Sequence, residues 1–473
     1  MAARPLLGRQ PNRLLQALVQ ETGVSNAGLA HRINLCGAEY GLDLRYDKTS
    51  VSRWLKGQQA RGLTPQIVAE VLSRKLNREV TVAEIGMADL TARHSPKAGL
   101  TFVPPLSGAI DQVCGLWRAD AGRPAYAQGS SVGTPRLLAS CRDWLAGHAD
   151  TDVSRSAGCH VGAADIETVR VITQDLAAAD HRFGSGHIRP IAVHCLNTLV
   201  AKLLKGSYSQ HTGRRLFACA ARLTELAGYM AVDIGRPGLA QRYYIQALRL
   251  SQAADDRGYG AYIIARSICH LAVSSGHTRM VVQAARIAFQ GSPQPAPPTL
   301  RALLHASEAR GHAVVGDLPA YRNAAAQARE ALAQAGTESE PEWAENFDQA
   351  YLAGELAHCC LALDQPDLAV REATRALSAH PGSRKRRRTI DLLHLATAQL
   401  RAGEVEDACA TATSAVRLSV DLRSSLCSKY VDHFQSLLAD SSRVAAAREF
   451  EEALMRARTE KRNQEAAAAH SDA

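Results

Sequence analysis

The sequence predicts an all-α protein that consists of a small helical N-terminal domain followed by a long array of helical pairs. One observation is composition: of 473 residues, 46% are hydrophobic but only 5% are aromatic, and alanine and leucine predominate. This favours helices, because alanine and leucine lose little entropy in a helix, whereas β-branched and aromatic residues prefer strands. The other observation is repetition. In the second half of the chain, apolar helical stretches alternate with short breaks at a spacing of roughly 35 to 45 residues, which is typical of stacked helical pairs.

Changes in apolar periodicity and in proline and glycine content divide the chain into four segments. Residues 1–92 have the pattern of closely spaced helices and are predicted to be the N-terminal domain. Residues 93–160 are interrupted by proline and glycine, so we expect a linker with an irregular module there. Residues 161–458 form the repeat array. The last segment, 459–473, has too little apolar content to pack and is expected to be a flexible tail.

The array is predicted to contain six helical pairs. Glycine, aspartate or proline stands in the breaks "DIGRP", "SSGH", "VGDLP", "LDQPD" and "RAGEVE", where it would stop one helix and cap the next. This patterning is tetratricopeptide-like, and six stacked pairs would share a continuous core and leave a concave surface. We expect that surface to bind an effector, either a peptide, a small molecule or a protein. The candidate contact residues, for which plain packing is the alternative, are Arg242, Tyr243, Tyr244 and Asn346.

The stretch "YDKTSVSRWLKG", residues 46–57, has the pattern of a capped amphipathic helix. Asp47 stands at the N-cap position, and Gly57 follows as a C-cap in left-handed geometry. Val51, Trp54 and Leu55 lie on one face, which must be buried. The remaining faces carry short hydroxyls and cations, which suit a DNA major groove, although a solvated surface helix is the alternative interpretation.

The neighbouring text predicts a five-helix order in which this helix is the third. "NRLLQALVQETG" is an amphipathic first helix with Leu14, Leu15, Leu18 and Val19 on its apolar face. "VSNAGLAHRINL" is a second helix, capped by Ser25. "LTPQIVAEVLSRKLN" and "TVAEIGM" follow as the fourth and fifth helices. The second and third helices would form a helix-turn-helix unit.

This arrangement resembles the Xre-type, λ-repressor-like helix-turn-helix class. The class has a capped "x-Q-x-x-L-A" helix, matched here by Ser25, Asn26, Leu29 and Ala30, with Asn26 in place of Gln. Its recognition helix "S-x-x-x-V-S-R-W/I-E-x-G" is matched by Asp47, Val51, Ser52, Arg53, Trp54, Lys56 and Gly57. The sequence departs from the class at Leu55, where Glu is usual, and in "LCGAEYGLDLRY", which is longer than the class's tight turn.

The chain as a whole is similar to actinobacterial regulators that join such a domain to a tetratricopeptide-like C-terminal region, in particular the NsdA-like negative regulators of streptomycete differentiation. The resemblance implies a sequence-specific transcriptional regulator, either a repressor or a pleiotropic regulator of differentiation and secondary metabolism. It would be a homodimer on an inverted-repeat operator in double-stranded DNA. Lys48, Thr49, Ser50 and Ser52 would face bases, and Asn26, Arg32, Arg53 and Lys56 would hold phosphates. The alternative is a protein-interaction scaffold whose helix-turn-helix domain no longer binds DNA.

Charge supports a polyanionic partner, whereas no pattern indicates catalysis. The net charge is +9, and the isoelectric point is about 9.1. The glycine-rich "RFGSGHIRP" lacks a P-loop lysine and a dinucleotide fingerprint, so it is predicted to be a turn between helices with Arg182 and Arg189 in solvent. The histidines and cysteines of the chain are not spaced as zinc ligands, and its sequence contains no nucleophile elbow. We therefore expect no enzyme activity, cofactor or metal.

Two further features concern the compartment and a basic run. The eleven cysteines include no CxxC pair, and no signal peptide or membrane span is recognised, so a cytoplasmic, nucleoid-associated protein is expected. "SRKRRR", Ser383–Arg388, contains five consecutive cations at the start of a repeat helix. A solvated loop is the usual explanation of such a run, and contact with flanking DNA or with an acidic partner are the alternatives.

Overall fold

The structure is a computed structural model that describes residues 11–40, 42–60, 63–78, 80–82, 84–87, 99–122, 131–336, 340–439 and 444–471. All regular secondary structure in these ranges is helical, beside two isolated β-bridges. The predicted all-α fold is therefore confirmed. None of the described helices is long and apolar enough to cross a membrane.

The described part of the N-terminal region contains four helices. They are α1 (Arg13–Thr22), α2 (Asn26–Glu39), α3 (Lys48–Leu55) and α4 (Thr64–Leu76). α2 packs on both α3 and α4 around a shared apolar core that includes Leu15, Ile33 and Val68. Two details of the prediction were wrong. Leu14 is 56% exposed rather than buried, and the described part of "TVAEIGM" forms turns instead of a fifth helix.

The segment expected to be a linker with an irregular module contains two regular helices. They are α5 (Leu106–Gly122) and α6 (Thr134–Ala146). Each of them buries a tryptophan, Trp117 in α5 and Trp144 in α6, with no exposed surface. A Cβ atom at Gly291 would lie 2.2 Å from the Trp144 ring, so only glycine admits this indole. The two helices are thus packed parts of the array, with α5 against α11 (Pro237–Ala253) and α6 against α14 (Thr278–Gly291).

The array consists of consecutive helical pairs, as the spacing predicted. It opens with α7 (Ala163–Phe183), α8 (Ser185–Cys195), a π-helical segment (Leu196–Val200) and α9 (Ala201–Leu204). The first two predicted pairs are α10 (Gln210–Asp233) with α11 (Pro237–Ala253), and α12 (Arg257–Tyr262), a π-helical segment (Ile263–Ile268) and α13 (Cys269–Ser274) with α14 (Thr278–Gly291). The next two are α15 (Pro298–Val314) with α16 (Leu318–Ala333), and α17 (Gln349–Ala362) with α18 (Pro366–Ala379). The last two are α19 (Lys385–Arg401) with α20 (Val405–Ser419), and α21 (Ser425–Leu438) with α22 (Ala445–Ser471).

Helix stops and starts follow the local signals. Gly235 adopts a φ of 77° in the break "DIGRP", and Pro237 begins the next helix, where a missing N–H costs nothing. The C-terminal segment differs from the expectation, because α22 continues as helix to Ser471 instead of ending in a flexible tail from residue 459. Its alanine, glutamate and arginine residues are strong helix formers, so the helix needs little packing to extend.

Candidate functional site

The third helix, α3, has the local structure that its sequence predicted. The Asp47 carboxylate caps it by accepting hydrogen bonds from the backbone N–H and the hydroxyl of Ser50, both at 2.8 Å. These bonds lower the pKa of Asp47. Gly57 follows the helix with a φ of 89°. Val51 and Trp54 are buried, and Trp54 meets the Tyr46 ring edge to face at 4.9 Å between centroids.

The outer face of α3 carries most of the predicted DNA-binding side chains. Lys48, Thr49, Arg53 and Lys56 are exposed, and Ser52 is half-buried on the same arc of the helix. No carboxylate in the described part of the chain forms an ion pair with Lys48, Arg53 or Lys56. Ser50 is different, because it is half-buried and its hydroxyl proton is engaged by the Asp47 cap. Its prediction as a base contact remains untested, but its geometry indicates a capping role.

The two other predicted residues lie on α2, which packs on α3. Asn26 is the first residue of the helix after the Ser25 cap, whose hydroxyl oxygen accepts the N–H of Gly28 at 3.1 Å. Asn26 is half-buried, and Arg32 is exposed. The structure thus brings the eight candidate residues onto two contacting helices.

The long connection between α2 and α3 is held by specific hydrogen bonds. The side chain of Asn34 bonds both backbone groups of Tyr46, each at 2.9 Å. The Tyr46 hydroxyl lies 2.7 Å from that of Thr64 on α4. The connection therefore fixes the start of α3 even though it is longer than a tight turn.

The C-terminal end of α2 is docked on the array. The Arg136 guanidinium of α6 lies 4.2 Å from the centroid of the Tyr40 ring and 3.6 Å from the Glu39 carboxylate. Burial raises the pKa of the Tyr40 hydroxyl to about 12, although Arg136 opposes the shift. Arg242, one of the candidate effector contacts, is buried and donates a hydrogen bond to the backbone oxygen of Tyr40 at 3.5 Å. Arg242 therefore joins the two regions of the protein.

Inside the array, helices α7, α10, α15, α17, α19 and α21 and the π-helical segment 263–268 surround an inner chamber of about 50 Å³. Its lining combines four arginines and four histidines with only one carboxylate, that of Glu355. The arginines are Arg266, Arg310, Arg386 and Arg387, and the histidines are His181, His270, His358 and His394. Burial, reinforced by the arginines, lowers the pKa of His181 and of His270 to about 3. The chamber therefore combines charged arginines with neutral imidazoles.

The basic run Ser383–Arg388 is not a solvated loop. Arg386 is only 1% exposed and forms ion pairs with Asp180 at 2.6 Å and Asp233 at 3.5 Å. Arg387 pairs with Glu355 and Asp391. The remaining cations also have partners in the protein: Asp348 for Arg384, Asp421 for Lys385, and the backbone oxygens of Leu377 and His380 for Arg388. The run builds the wall of the chamber, because Arg386 and Arg387 both line it.

A second, outer chamber of about 330 Å³ meets the inner one at three shared residues, His181, Tyr229 and Arg266. It is lined by stacked rings of Tyr259 and Tyr262, whose centroids are 5.4 Å apart. Trp343 lies against both of these rings.

Trp343 belongs to the connection between α16 and α17. Within this connection, Glu342–Ala344 forms a 3-10 turn. The Glu342 carboxylate fastens this connection to α7 and α10 by accepting from Arg170 at 2.5 Å, from Arg222 at 3.2 Å and from Gln174. The connection therefore forms a strap along one side of the outer chamber.

Other sequence candidates have structural roles or remain peripheral. Tyr243 and Tyr244 are buried, whereas Asn346 is exposed and lines the outer chamber. Arg189, expected in solvent, is 5% exposed and forms an ion pair with Asp120 at 2.5 Å. The turn predicted at "RFGSGHIRP" is present, since Gly184 separates α7 from α8.

Sequence reasoning missed Arg266 and Arg310. Arg266 stands inside largely apolar helical sequence, "AYIIARSICHLAV", whereas Arg310, in "ASEARGHAV", follows Glu308 by two residues and is less conspicuous. A lone arginine among buried residues is rare unless it is paired or binds a ligand, so this signal was available. Among the described residues, no cluster of three or more potential metal ligands occurs.

The comparisons with known proteins concern only the N-terminal region. The sequence model of a family described as the SP15 N-terminal domain matches residues 15–88. No curated protein and no solved structure matches the chain. The matched segment contains nearly all of α1 and the whole of α2, α3 and α4. The family likeness thus ends before the array begins.

Proposed function

We propose that the chain is a sequence-specific DNA-binding transcriptional regulator of the Xre type, acting as a repressor or pleiotropic regulator of differentiation and secondary metabolism. In this proposal α3 enters the major groove of an inverted-repeat operator, and a homodimer presents one such helix to each half-site. The protein would be cytoplasmic and associated with the nucleoid. The array would carry dimerisation and effector binding.

The single observation that carries the proposal is the state of the cations on α3. Lys48, Arg53 and Lys56 are exposed, and no described carboxylate neutralises them by an ion pair. Elsewhere in the chain, the cations of the Ser383–Arg388 run are all engaged with partners. Exposed cations that lack a carboxylate partner, on a short and capped helix, can displace counterions from DNA phosphates. The hydroxyls of Thr49 and Ser52 on the same face could reach base edges.

The test is selection of bound fragments from sheared genomic DNA by the purified full-length protein at near-physiological salt, followed by sequencing. We expect a shared, roughly palindromic motif, because a symmetric dimer reads two related half-sites. Recovery without a common motif, or with binding that salt does not weaken, would contradict sequence-specific recognition.

The second candidate is a protein-interaction scaffold that has lost DNA binding. The connection between α2 and α3 favours it, since it is longer than a tight turn, and α2 is fastened to the array at Tyr40. These contacts would suit a surface that presents α3 to another protein. A motif-free selection together with salt-insensitive binding would support this candidate.

A further inference from the structure

Arg266 is a half-buried cation that lies in the field of the Glu225 carboxylate but forms no salt bridge with it. Within the described residues it forms no ion pair, and its guanidinium donates a hydrogen bond to the Tyr351 hydroxyl at 2.9 Å. Its other close neighbours are the ring faces of Tyr229, Tyr262 and Tyr351, at 5.0 to 5.8 Å. A buried charge is costly unless an opposite charge compensates it. Arg266 also stands where the two chambers meet, so a ligand in either chamber can reach it.

The inner chamber is suited to an anion. Its walls present four guanidinium groups and one carboxylate to the cavity, and this carboxylate, that of Glu355, pairs with Arg310 and Arg387. Asp180 and Asp391, which pair with Arg386 and Arg387, lie outside the lining. Burial alone would raise the pKa of the Tyr351 hydroxyl, but Arg266, Arg387 and Arg310 outweigh it and lower the pKa. A negative charge is therefore favoured at this place. A volume of about 50 Å³ leaves room for a carboxylate or phosphate group.

The outer chamber is suited to a planar apolar body. Its volume of about 330 Å³ falls within the range of small-molecule sites, roughly 300 to 1,000 Å³. Tyr259, Tyr262 and Trp343 offer aromatic surfaces to it. A cationic ligand is disfavoured, because Arg266 already lies over Tyr262 and Arg222 lies over Tyr259. Of the four acids that line this chamber, Glu342 is paired with Arg170 and Arg222, and Asp180 with Arg386. Glu225 accepts a hydrogen bond from Ser267 and lies in the field of Arg266, and Glu345 is exposed.

We infer that the joined chambers bind a small organic acid, with its carboxylate or phosphate group beside Arg266 in the inner chamber and a planar apolar body against the aromatic rings that line the outer chamber. This names the class of effector and its site in the array, which the proposed function leaves open. Binding is measured without DNA, so its failure and the failure of DNA recognition can be told apart.

The experiment is calorimetric titration of the full-length protein with 1-naphthoate, indole-3-acetate and phenyl phosphate. Each acid is compared with a neutral counterpart, namely 1-naphthamide, indole-3-acetamide and phenol, and inorganic phosphate is titrated alone. We expect at least one acid to bind about tenfold or more tightly than its neutral counterpart, as a charge-assisted hydrogen bond contributes. It should also bind more tightly than inorganic phosphate, because only the acid fills the outer chamber.

Two variants locate the site. Arg266→Gln should abolish the preference for the acid over its neutral counterpart, whereas Arg322→Gln, at an exposed position of α16, should retain it. Trp343→Ala should weaken the aromatic acid and leave inorganic phosphate unchanged. If circular dichroism shows that Arg266→Gln does not fold, Trp343→Ala still tests whether the aromatic acid binds in the outer chamber. Failure of all three acids to bind better than their neutral counterparts would overturn the inference. So would a preference that survives in Arg266→Gln, or an affinity for the aromatic acid that Trp343→Ala leaves unchanged.

Discussion

Two basic stretches of this chain, one on α3 and one at the start of α19, lie in opposite environments. On α3, Lys48, Arg53 and Lys56 are exposed, without an ion pair to any described carboxylate. At the start of α19, Arg386 is buried and Arg387 is half-buried, and each has two carboxylate partners. The first stretch can therefore attract an external polyanion, whereas the arginines of the second are neutralised by carboxylates of the protein itself.

The two stretches differ because the role of a cation depends on its partners in the folded protein and not on its neighbours in the sequence. Asp180, which pairs with Arg386, lies 206 residues earlier in the chain. No local pattern around "SRKRRR" announces it. Exposed charges interact through water and are weakened by salt, but buried pairs interact strongly and lose much when one partner is removed. Four measurements test whether the exposed and the buried cations differ in this way.

The largest effect is expected for Arg386→Met. The substitution leaves Asp180 and Asp233 buried without their counter-charge, which typically costs about 3 to 5 kcal/mol of unfolding free energy. Urea denaturation followed by circular dichroism measures it. Lys385→Met is the matched control, since its side chain is 35% exposed and lies 3.7 Å from Asp421, and it should change stability by less than about 1 kcal/mol. Equal losses in the two variants would contradict the burial argument.

The next effect is a loss of stability on acidification. The folded pKa values of His181 and His270 are lowered to about 3 by burial and by the neighbouring arginines, so between that value and their ordinary 6.5 the unfolded chain binds more protons. Stability therefore rises with pH in this window and falls by about 1.4 kcal/mol per pH unit for each histidine as the solution is acidified.

Urea denaturation at pH 7, 6 and 5 tests this dependence. His270→Asn should reduce the slope between pH 6 and pH 5, because one of the proton-binding groups is removed from the unfolded state. His31→Asn, at an exposed position on α2, should not reduce it. A profile that stays flat down to pH 5 in the wild-type protein would argue against neutral imidazoles in the chamber.

A smaller effect, on binding rather than folding, is expected for the cations of α3. Lys56→Ala should weaken binding to all DNA sequences and lower the salt slope by about 1, because one phosphate contact is lost. Lys48→Ala should instead change the preferred sequence. Titration of labelled operator and random duplexes at several salt concentrations separates the two, with Lys202→Ala on α9 as the control. Equal behaviour of the two α3 variants would refute the division between base and phosphate contacts.

The smallest effect is expected for Asp47→Ala. The substitution removes the acceptor of two Ser50 hydrogen bonds, which should fray the first turn of α3 and lower the melting temperature slightly. Asp43→Ala is the matched control, because Asp43 pairs only with the exposed Arg45 side chain in the described region. If the two variants melt alike, the cap does not hold α3.

Much of the fold could be read from local signals. The breaks such as "DIGRP" and "LDQPD" stop and restart helices through the backbone preferences of one or two residues, so all six pairs were predicted. The cap at Asp47 and the buried face of α3 were also local, since they depend on residues three or four positions apart. In 93–160 the same reasoning failed, because Trp144 is accommodated by the distant Gly291, which only packing reveals.

Local sequence signals therefore predicted the six helical pairs of the array, the cap of α3 and the cationic outer face of α3. Periodicity and capping act within one or two helical turns, and six similar pairs have few other ways to bury their apolar faces. Only the tertiary structure decided which cations are buried and what surrounds them. Arg266, Arg386 and Glu355 come from different helices, and the chamber that they line exists only once those helices have stacked. Their roles depend on distance and solvent access, neither of which is written in the order of residues.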